Sequence, residues 1–177
     1  MPRYNKSKIT KFLHDSDIAT NPDIKGKIFE DLVQYLFEKF GGIRLADRNV
    51  LDETGSQEID LAFWNNLLSP FHFLDPIIIC ECKNEAPALS SAKVREFVHK
   101  LRTHGANSGI LISSSGITGH LNGYRYANSV VMDALSIDRI KLIVVDREDI
   151  LLFGSTNDFL NDISKKYLNL TLRRTLE

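Results

Sequence analysis

Three charged residues, Asp60, Glu81 and Lys83, lie in two strongly apolar segments of the chain. Charge is costly in such segments unless it is paired or bound to a metal. Glu81 and Lys83 are two residues apart and share one face of a predicted strand. Asp60 can meet Glu81 if its own strand pairs with that one. Two facing carboxylates suit Mg²⁺ or Mn²⁺, and a hard cation beside an ammonium group fits metal-dependent phosphodiester cleavage.

The protonation state of Lys83 is open at this level. A bound metal lowers the pKa of a neighbouring lysine, whereas the two carboxylates raise it. Lys83 therefore either activates a water molecule or stabilises negative charge on the phosphate.

Glu30 is a fourth candidate, on a predicted helix that Asn21 caps and Pro22 begins. It lies at the margin of the apolar stripe, from where its carboxylate can point inward, although a solvent-exposed glutamate is the alternative. Gly26 costs about 1 kcal/mol relative to alanine in a helix. That cost suggests close approach by a neighbouring backbone or by a phosphate.

Cys80 and Cys82 are expected on the opposite face of the strand from Glu81, as buried apolar residues. A lone Cys-x-Cys pair is a weak zinc signal, and unpaired thiols fit a reducing compartment. The N-terminal residues show no apolar targeting segment, and no apolar run reaches the length of a membrane span. We therefore expect a cytoplasmic protein. Its last two residues also leave open that it is part of a longer chain with further domains.

The hydrophobic pattern predicts the element order α-β-β-β-α-β-α-β-α. Three consecutive strands indicate an antiparallel meander, and the later strand-helix-strand units require parallel pairing. We predict an α/β fold with a mixed central sheet and helices on both faces. A single domain is expected over residues 1–177, with a core at about 22–150 and a C-terminal helical extension at 151–177.

The formal net charge is −1, so the overall charge does not indicate a nucleic-acid partner. If the protein binds nucleic acid, the basic groups that do so must be clustered on part of its surface. The candidates lie near the start of the first predicted helix and along the helix that follows the site; they are Lys25, Lys27, Lys93, Arg95, Lys100 and Arg102. Arg125 is a further candidate. For each of them, an ordinary solvated side chain is the alternative.

Gly55 to Asp60, followed by Glu81-Cys82-Lys83, resembles the split signature of the PD-(D/E)XK nuclease superfamily. Lys25-Gly26-x-x-Phe29-Glu30 is similar to the leading helix of its Mrr-type restriction endonucleases and archaeal Holliday-junction resolvases. The resemblance spans about residues 22–150. It implies a restriction-endonuclease-like αβββαβ core, Mg²⁺ dependence with Mn²⁺ as a substitute, and endonucleolytic hydrolysis of DNA.

The same resemblance assigns roles to the site residues. Asp60, Glu81 and the backbone carbonyl of Cys82 are implied as metal ligands, Lys83 as the catalytic lysine and Glu30 as an accessory acid. Mrr-type enzymes often carry glutamine where this chain has Glu81, which leaves a resolvase-like, structure-selective nuclease as an alternative. A nuclease-like fold that only binds nucleic acid is a third reading. Cutting both strands of a duplex needs two such sites, which makes a homodimer a reasonable hypothesis.

Overall fold

The computed structural model describes residues 2–51, 55, 58–66, 68–118, 127–172 and 174–176. The helices are α1 (Lys6–Ile18), α2 (Pro22–Phe37), α3 (Ser91–Thr103), α4 (Ala127–Asp133, continued by a π-helical turn at Ala134–Asp138), α5 (Arg147–Leu152) and α6 (Thr156–Leu172). The strands are β1 (Ile43–Leu51), β2 (Glu58–Asn65), β3 (Ile77–Lys83), β4 (Ser108–Ser113) and β5 (Lys141–Asp146).

The predicted order of elements is confirmed, and the structure adds two helices to it, α1 before the first predicted helix and α5 after β5. The helix α5 starts directly after β5, where the side chains of Asp146 and Asp149 each accept the other's backbone N–H and form a capping box. The helix predicted between the fourth and fifth strands is described from Ala127 as α4, whereas residues 119–126, and Arg125 with them, lie outside the described residues.

The five strands form one sheet in the order β1-β2-β3-β4-β5. The pairs β1–β2 and β2–β3 are antiparallel, whereas β3–β4 and β4–β5 are parallel. The predicted α/β fold with a mixed sheet is therefore confirmed. Because β3, β4 and β5 are parallel, their carboxyl ends lie at the same edge of the sheet, and Lys83 is at that edge.

Different helices cover the two faces of the sheet. On one face, the ring of Phe37 from α2 stacks on Phe63 of β2 with centroids 4.6 Å apart, and Phe159 of α6 meets Phe37 edge-on at 5.0 Å. On the other face, Gly109 of β4 lies directly under the side chain of Leu101 from α3. The site residues must therefore be assigned to one of these two faces.

The predicted C-terminal extension packs into the same hydrophobic cluster as the core. Phe159, Ile163 and Leu170 of α6 are all buried in it. On the outer side of α2, Tyr4 donates its hydroxyl to the carbonyl of Leu36 at 2.8 Å and ties the N-terminal segment to that helix. No helix in the described ranges is long and apolar enough to cross a membrane.

Candidate active site

Asp60 stands where the hydrogen-bond ladder between β2 and β3 ends. The last described pair on this side is Leu61 with Cys80. Beyond it, the backbone N–H of Cys82 donates to Oδ2 of Asp60 at 2.7 Å. The carboxylate thus takes the place of a backbone acceptor at the fork between the two strands, and this contact fixes its position.

Four charged side chains meet at this fork. Lys83 Nζ lies 2.7 Å from Glu81 Oε1 and 3.7 Å from Asp60 Oδ2. Lys100 of α3 reaches the same glutamate and donates to Oε1 at 3.0 Å and to Oε2 at 2.8 Å. Glu81 is only 4% exposed, so its charge depends on these partners. The expectation that Asp60, Glu81 and Lys83 lie together on one face is confirmed, and that face is the one covered by α3.

The environment at the fork raises the pKa of two of these groups, Asp60 and Lys83. Burial, together with the charge of Glu81, raises the pKa of Asp60 to about 6. Burial alone disfavours the ammonium form of Lys83, but Glu81 and Asp60 outweigh it and raise the pKa of Lys83 above its ordinary value. Lys83 is therefore a cation in the metal-free arrangement.

The donor set at the fork fits a hard divalent cation. The described residues contain no group of three or more His, Cys, Asp or Glu side chains that could hold a metal, so Asp60 and Glu81 are the carboxylates available here. Mg²⁺ is commonly held by one or two carboxylates and retains several waters, and the backbone carbonyl of Cys82 is a candidate third oxygen. An ammonium already sits between the two carboxylates, which shows that the position accepts positive charge.

The cysteine thiols are not part of this donor set. Cys80 and Cys82 are both free and buried, and they alternate with Glu81 and therefore project to the opposite face of β3. Burial raises the pKa of both thiols well above the usual value, so neither is a ready thiolate ligand. The predicted role of both side chains as buried apolar residues is confirmed.

Glu30 is not brought into contact with the charged cluster. Its Oε2 accepts from Nε of Arg48 on β1 at 2.8 Å, and the same guanidinium donates to Asp31 at 2.7 Å and to the carbonyl of Lys27 at 3.0 Å. The side chain of Glu30 is only 13% exposed, which agrees with the predicted inward direction. No described atom lies within 4 Å of where a Cβ of Gly26 would stand, so the expected close approach by a neighbouring backbone is wrong.

The basic residues predicted to contact nucleic acid fall into two groups. Three of them pair with carboxylates of the chain itself: Lys93 with Glu85, Lys100 with Glu81, and Arg102 with Asp138. Among the described residues, the other three, Lys25, Lys27 and Arg95, form no salt bridge with a carboxylate, although Lys25 lies close enough to Asp17 to help lower the pKa of that carboxyl. Arg95 donates to the hydroxyl of Ser91, at 3.2 Å.

Sequence reasoning missed that Lys100 belongs to the site and that Arg48 holds Glu30. The signal for Lys100 was its place at the margin of the buried stripe of α3, between Phe97 and Leu101. A lysine at such a margin can direct its ammonium group inward along the sheet. For Arg48 there was no comparable signal, because its face depends on the local register of β1.

Comparison with protein families gives a match over most of the chain. The family model Mrr_cat, described as a restriction endonuclease, matches residues 22–148, which is well over half of the chain. Comparison with curated proteins gives no significant match, and comparison with solved structures gives none either. The matched region contains α2, the whole five-stranded sheet and the charged cluster at the fork.

Proposed function

The chain belongs to the Mrr-type restriction endonuclease family, and from this premise we propose that it is a Mg²⁺-dependent endonuclease that hydrolyses phosphodiester bonds in DNA. The family makes it a nuclease of the restriction-endonuclease type. The metal, the substrate and the residue roles are the proposal. The observation that carries it is the buried cluster in which the ammonium of Lys83 bridges the carboxylates of Asp60 and Glu81.

Asp60, Glu81 and the carbonyl of Cys82 are the residues that would hold the cation. When bound, the cation supplies Lewis-acid polarisation of the scissile phosphate. Lys83 is the most exposed member of the cluster, with 32% of its side chain accessible. Its ammonium can therefore reach a phosphate from the same face and stabilise the negative charge that develops there. Oδ2 of Asp60 and both oxygens of Glu81 are held by N–H donors before substrate arrives, which limits reorganisation.

Glu30 is proposed as an accessory acid that acts through the α2–β1 side of the site. Its present partner, Arg48, also binds Asp31, so the guanidinium keeps a carboxylate partner if Glu30 turns away. The Glu30→Gln variant separates this role from a purely structural one. A catalytic contribution lowers cleavage in Glu30→Gln while the unfolding midpoint stays near that of the wild type, whereas a structural role lowers both.

The direct test is incubation of supercoiled plasmid with purified protein in Mg²⁺, Mn²⁺ or EDTA. We expect metal-dependent nicking or linearisation that Lys83→Ala reduces by about 10² or more, because a charge aimed at the transition state is lost. Lys11→Ala is the control, since it removes an exposed lysine that pairs with Asp15 on α1. Folded wild-type protein that cleaves nothing in any metal, including single-stranded DNA and four-way junctions, would contradict the proposal.

The same assay with different DNA substrates distinguishes this proposal from a structure-selective nuclease and from a non-catalytic binding module. The glutamate at position 81, where Mrr-type enzymes often carry glutamine, favours a test of four-way junctions beside linear duplex. Preferential junction cleavage identifies a structure-selective nuclease. A protein that binds DNA but cleaves none of these substrates is the non-catalytic module. In that case the variant Asp60→Asn changes neither binding nor cleavage.

Cleavage of both strands at one place needs two sites, so the proposal includes a homodimer. A monomer releases nicked circles and linearises plasmid only by independent later cuts. The ratio of linear to nicked product should therefore rise with protein concentration, together with the dimer fraction measured by sedimentation. The free, buried thiols of Cys80 and Cys82 support a reducing, cytoplasmic location.

A further inference from the structure

We propose that Lys100 is a positioning residue for Glu81, which it holds by both carboxylate oxygens so that Oε1, the oxygen also contacted by Lys83, is presented to the divalent cation. This inference rests on the proposed function and adds a residue to its site. Lys100 lies on α3, 17 positions after Lys83, outside the motif segments that carry the family resemblance. Its role would be to keep Glu81 in a single orientation before and after the metal binds.

The two oxygens of Glu81 have different partners. Oε1 contacts both Lys83, at 2.7 Å, and Lys100, at 3.0 Å. Oε2 contacts Lys100 at 2.8 Å. Because Lys83 also lies 3.7 Å from Asp60, Oε1 is the oxygen on the Asp60 side, where the two carboxylates share a cation. Oε2 is the oxygen by which Lys100 can hold the side chain when Lys83 gives way.

Lys100 is also the more buried of the two lysines. Only 14% of its side chain is exposed, compared with 32% for Lys83. Lys100 lies on a helix that packs closely against the sheet, since its neighbour Leu101 is fully buried over Gly109. Withdrawing this ammonium would leave the carboxylate of a 4% exposed glutamate with less compensation, which is unfavourable.

The charge of the cluster permits this arrangement. Two carboxylates and two ammonium groups are neutral together, so an arriving dication meets a site with no net charge to oppose it. Removing a residue that hydrogen-bonds to a metal ligand typically lowers metal affinity or activity 10- to 100-fold. A phosphate-binding role for Lys100 fits less well, because its ammonium is buried and bound to both oxygens of Glu81.

The experiment measures Mn²⁺ affinity of the DNA-free protein by calorimetry, for wild type and for Lys100→Met. We expect the Mn²⁺ dissociation constant to rise about tenfold in Lys100→Met. Lys166→Met is the matched control: Lys166 is 16% exposed, pairs with Asp149 and Asp162, and lies on α6. Its Mn²⁺ affinity should stay at the wild-type value. In plasmid cleavage at saturating metal, Lys100→Met should lower kcat and leave KM for DNA unchanged.

Lys100→Gln is the second variant, because it keeps an N–H donor for Glu81 and removes the charge without placing an apolar group there. It should weaken Mn²⁺ binding in the same direction and to a smaller extent. An unchanged or tighter Mn²⁺ dissociation constant in a folded Lys100 variant would overturn the inference. So would a raised KM for DNA with normal Mn²⁺ binding, since that result identifies a phosphate contact.

Different results would overturn the nuclease function and the role of Lys100. Wild-type protein that binds no Mn²⁺ and cleaves no DNA overturns the proposed function and the inference with it. Wild-type protein that binds Mn²⁺ and cleaves DNA, with Lys100 variants that match it in both assays, overturns the inference alone.

Discussion

At the scale of single residues, the site stores unfavourable electrostatic energy in Asp60. Burial and the nearby charge of Glu81 raise its pKa from 3.8 to about 6. The folded protein therefore binds more protons than the unfolded chain between these two pH values, and its stability decreases as the pH rises through that window. Above pH 6 the ionised carboxylate carries the full cost, which a bound cation would relieve.

The variant Asp60→Asn should consequently stabilise the metal-free protein. At pH 8 in EDTA, we expect its free energy of unfolding to exceed that of the wild type by up to about 3 kcal/mol, which corresponds to raising the pKa of the carboxyl from 3.8 to about 6. Near pH 4 the difference should disappear, because wild-type Asp60 is then protonated in the folded state. Urea unfolding at several pH values measures this.

The control for this prediction is Asp15→Asn, which removes an exposed carboxylate paired with Lys11. It should show no gain at pH 8. A destabilised Asp60→Asn at pH 8 would mean that the contacts of the carboxylate with Cys82 and Lys83 outweigh its burial. Adding Mg²⁺ should stabilise the wild type more than Asp60→Asn if Asp60 is a ligand.

At the scale of elements, the position of α3 determines where Lys100 can reach. A Cβ added at Gly109 would stand 2.4 Å and 2.6 Å from the two methyl carbons of Leu101. Atoms cannot approach so closely, so any larger residue at this position must displace Leu101 or lift the helix. The glycine thus permits the close seating of α3 on β4 that brings Lys100 to Glu81.

Two glycine substitutions should therefore have opposite effects. Gly109→Ala should lower the free energy of unfolding by about 1–3 kcal/mol, as expected for overpacking a full core. It should also reduce cleavage by the folded fraction, because Lys100 moves with the helix. Gly26→Ala on α2 meets no described atom within 4 Å and should raise stability by up to about 1 kcal/mol.

Urea unfolding and plasmid cleavage on the same preparations test both. Equal stability of Gly109→Ala and wild type would show that Leu101 adjusts without moving the helix. If Gly26→Ala is stable but cleaves poorly, the glycine is required for approach of the substrate backbone, as the sequence suggested.

The sequence predicted those parts of the site that follow from strict local periodicity. Alternation along β2 and β3 placed Asp60, Glu81 and Lys83 on one face, and neither strand has a register shift in their pairing. β1 differs, because its pairing with β2 shifts by one residue between Leu45 and Asp47. Such a bulge moves every later side chain to the other face. It is what turns Arg48 towards Glu30, and counting residues could not reveal it.

The contact between Lys100 and Glu81 was unpredictable for a different reason. The helical period places Lys100 beside the buried stripe, but the residue it meets depends on how α3 crosses the sheet. That crossing is set by packing at Gly109, far from Lys100's partner in sequence. Tertiary packing, and not local preference, therefore completes the charged cluster.

At the scale of the whole molecule, the net charge of −1 leaves DNA affinity to a few local cations. Lys93 and Arg102 pair with Glu85 and Asp138, and Lys100 pairs with Glu81. A phosphate that recruits any of these must compete with a carboxylate of the protein. Of the six candidate cations, Lys25, Lys27 and Arg95 form no salt bridge with a carboxylate among the described residues.

Binding to duplex DNA should accordingly depend only moderately on salt. Each neutralised phosphate contributes about −0.9 to the slope of log K against log salt, so contacts from Lys25, Lys27 and Arg95 give a slope of about −3. Fluorescence anisotropy with the cleavage-deficient Lys83→Ala protein in Mg²⁺ measures it. Changing both Lys25 and Lys27 to alanine should bring the slope to about −1, while Lys11→Ala should not alter it. A slope near −5 in the starting protein would show instead that Lys93 and Arg102 leave their carboxylates for phosphate, in which case the surface of α3 becomes part of the DNA-binding face.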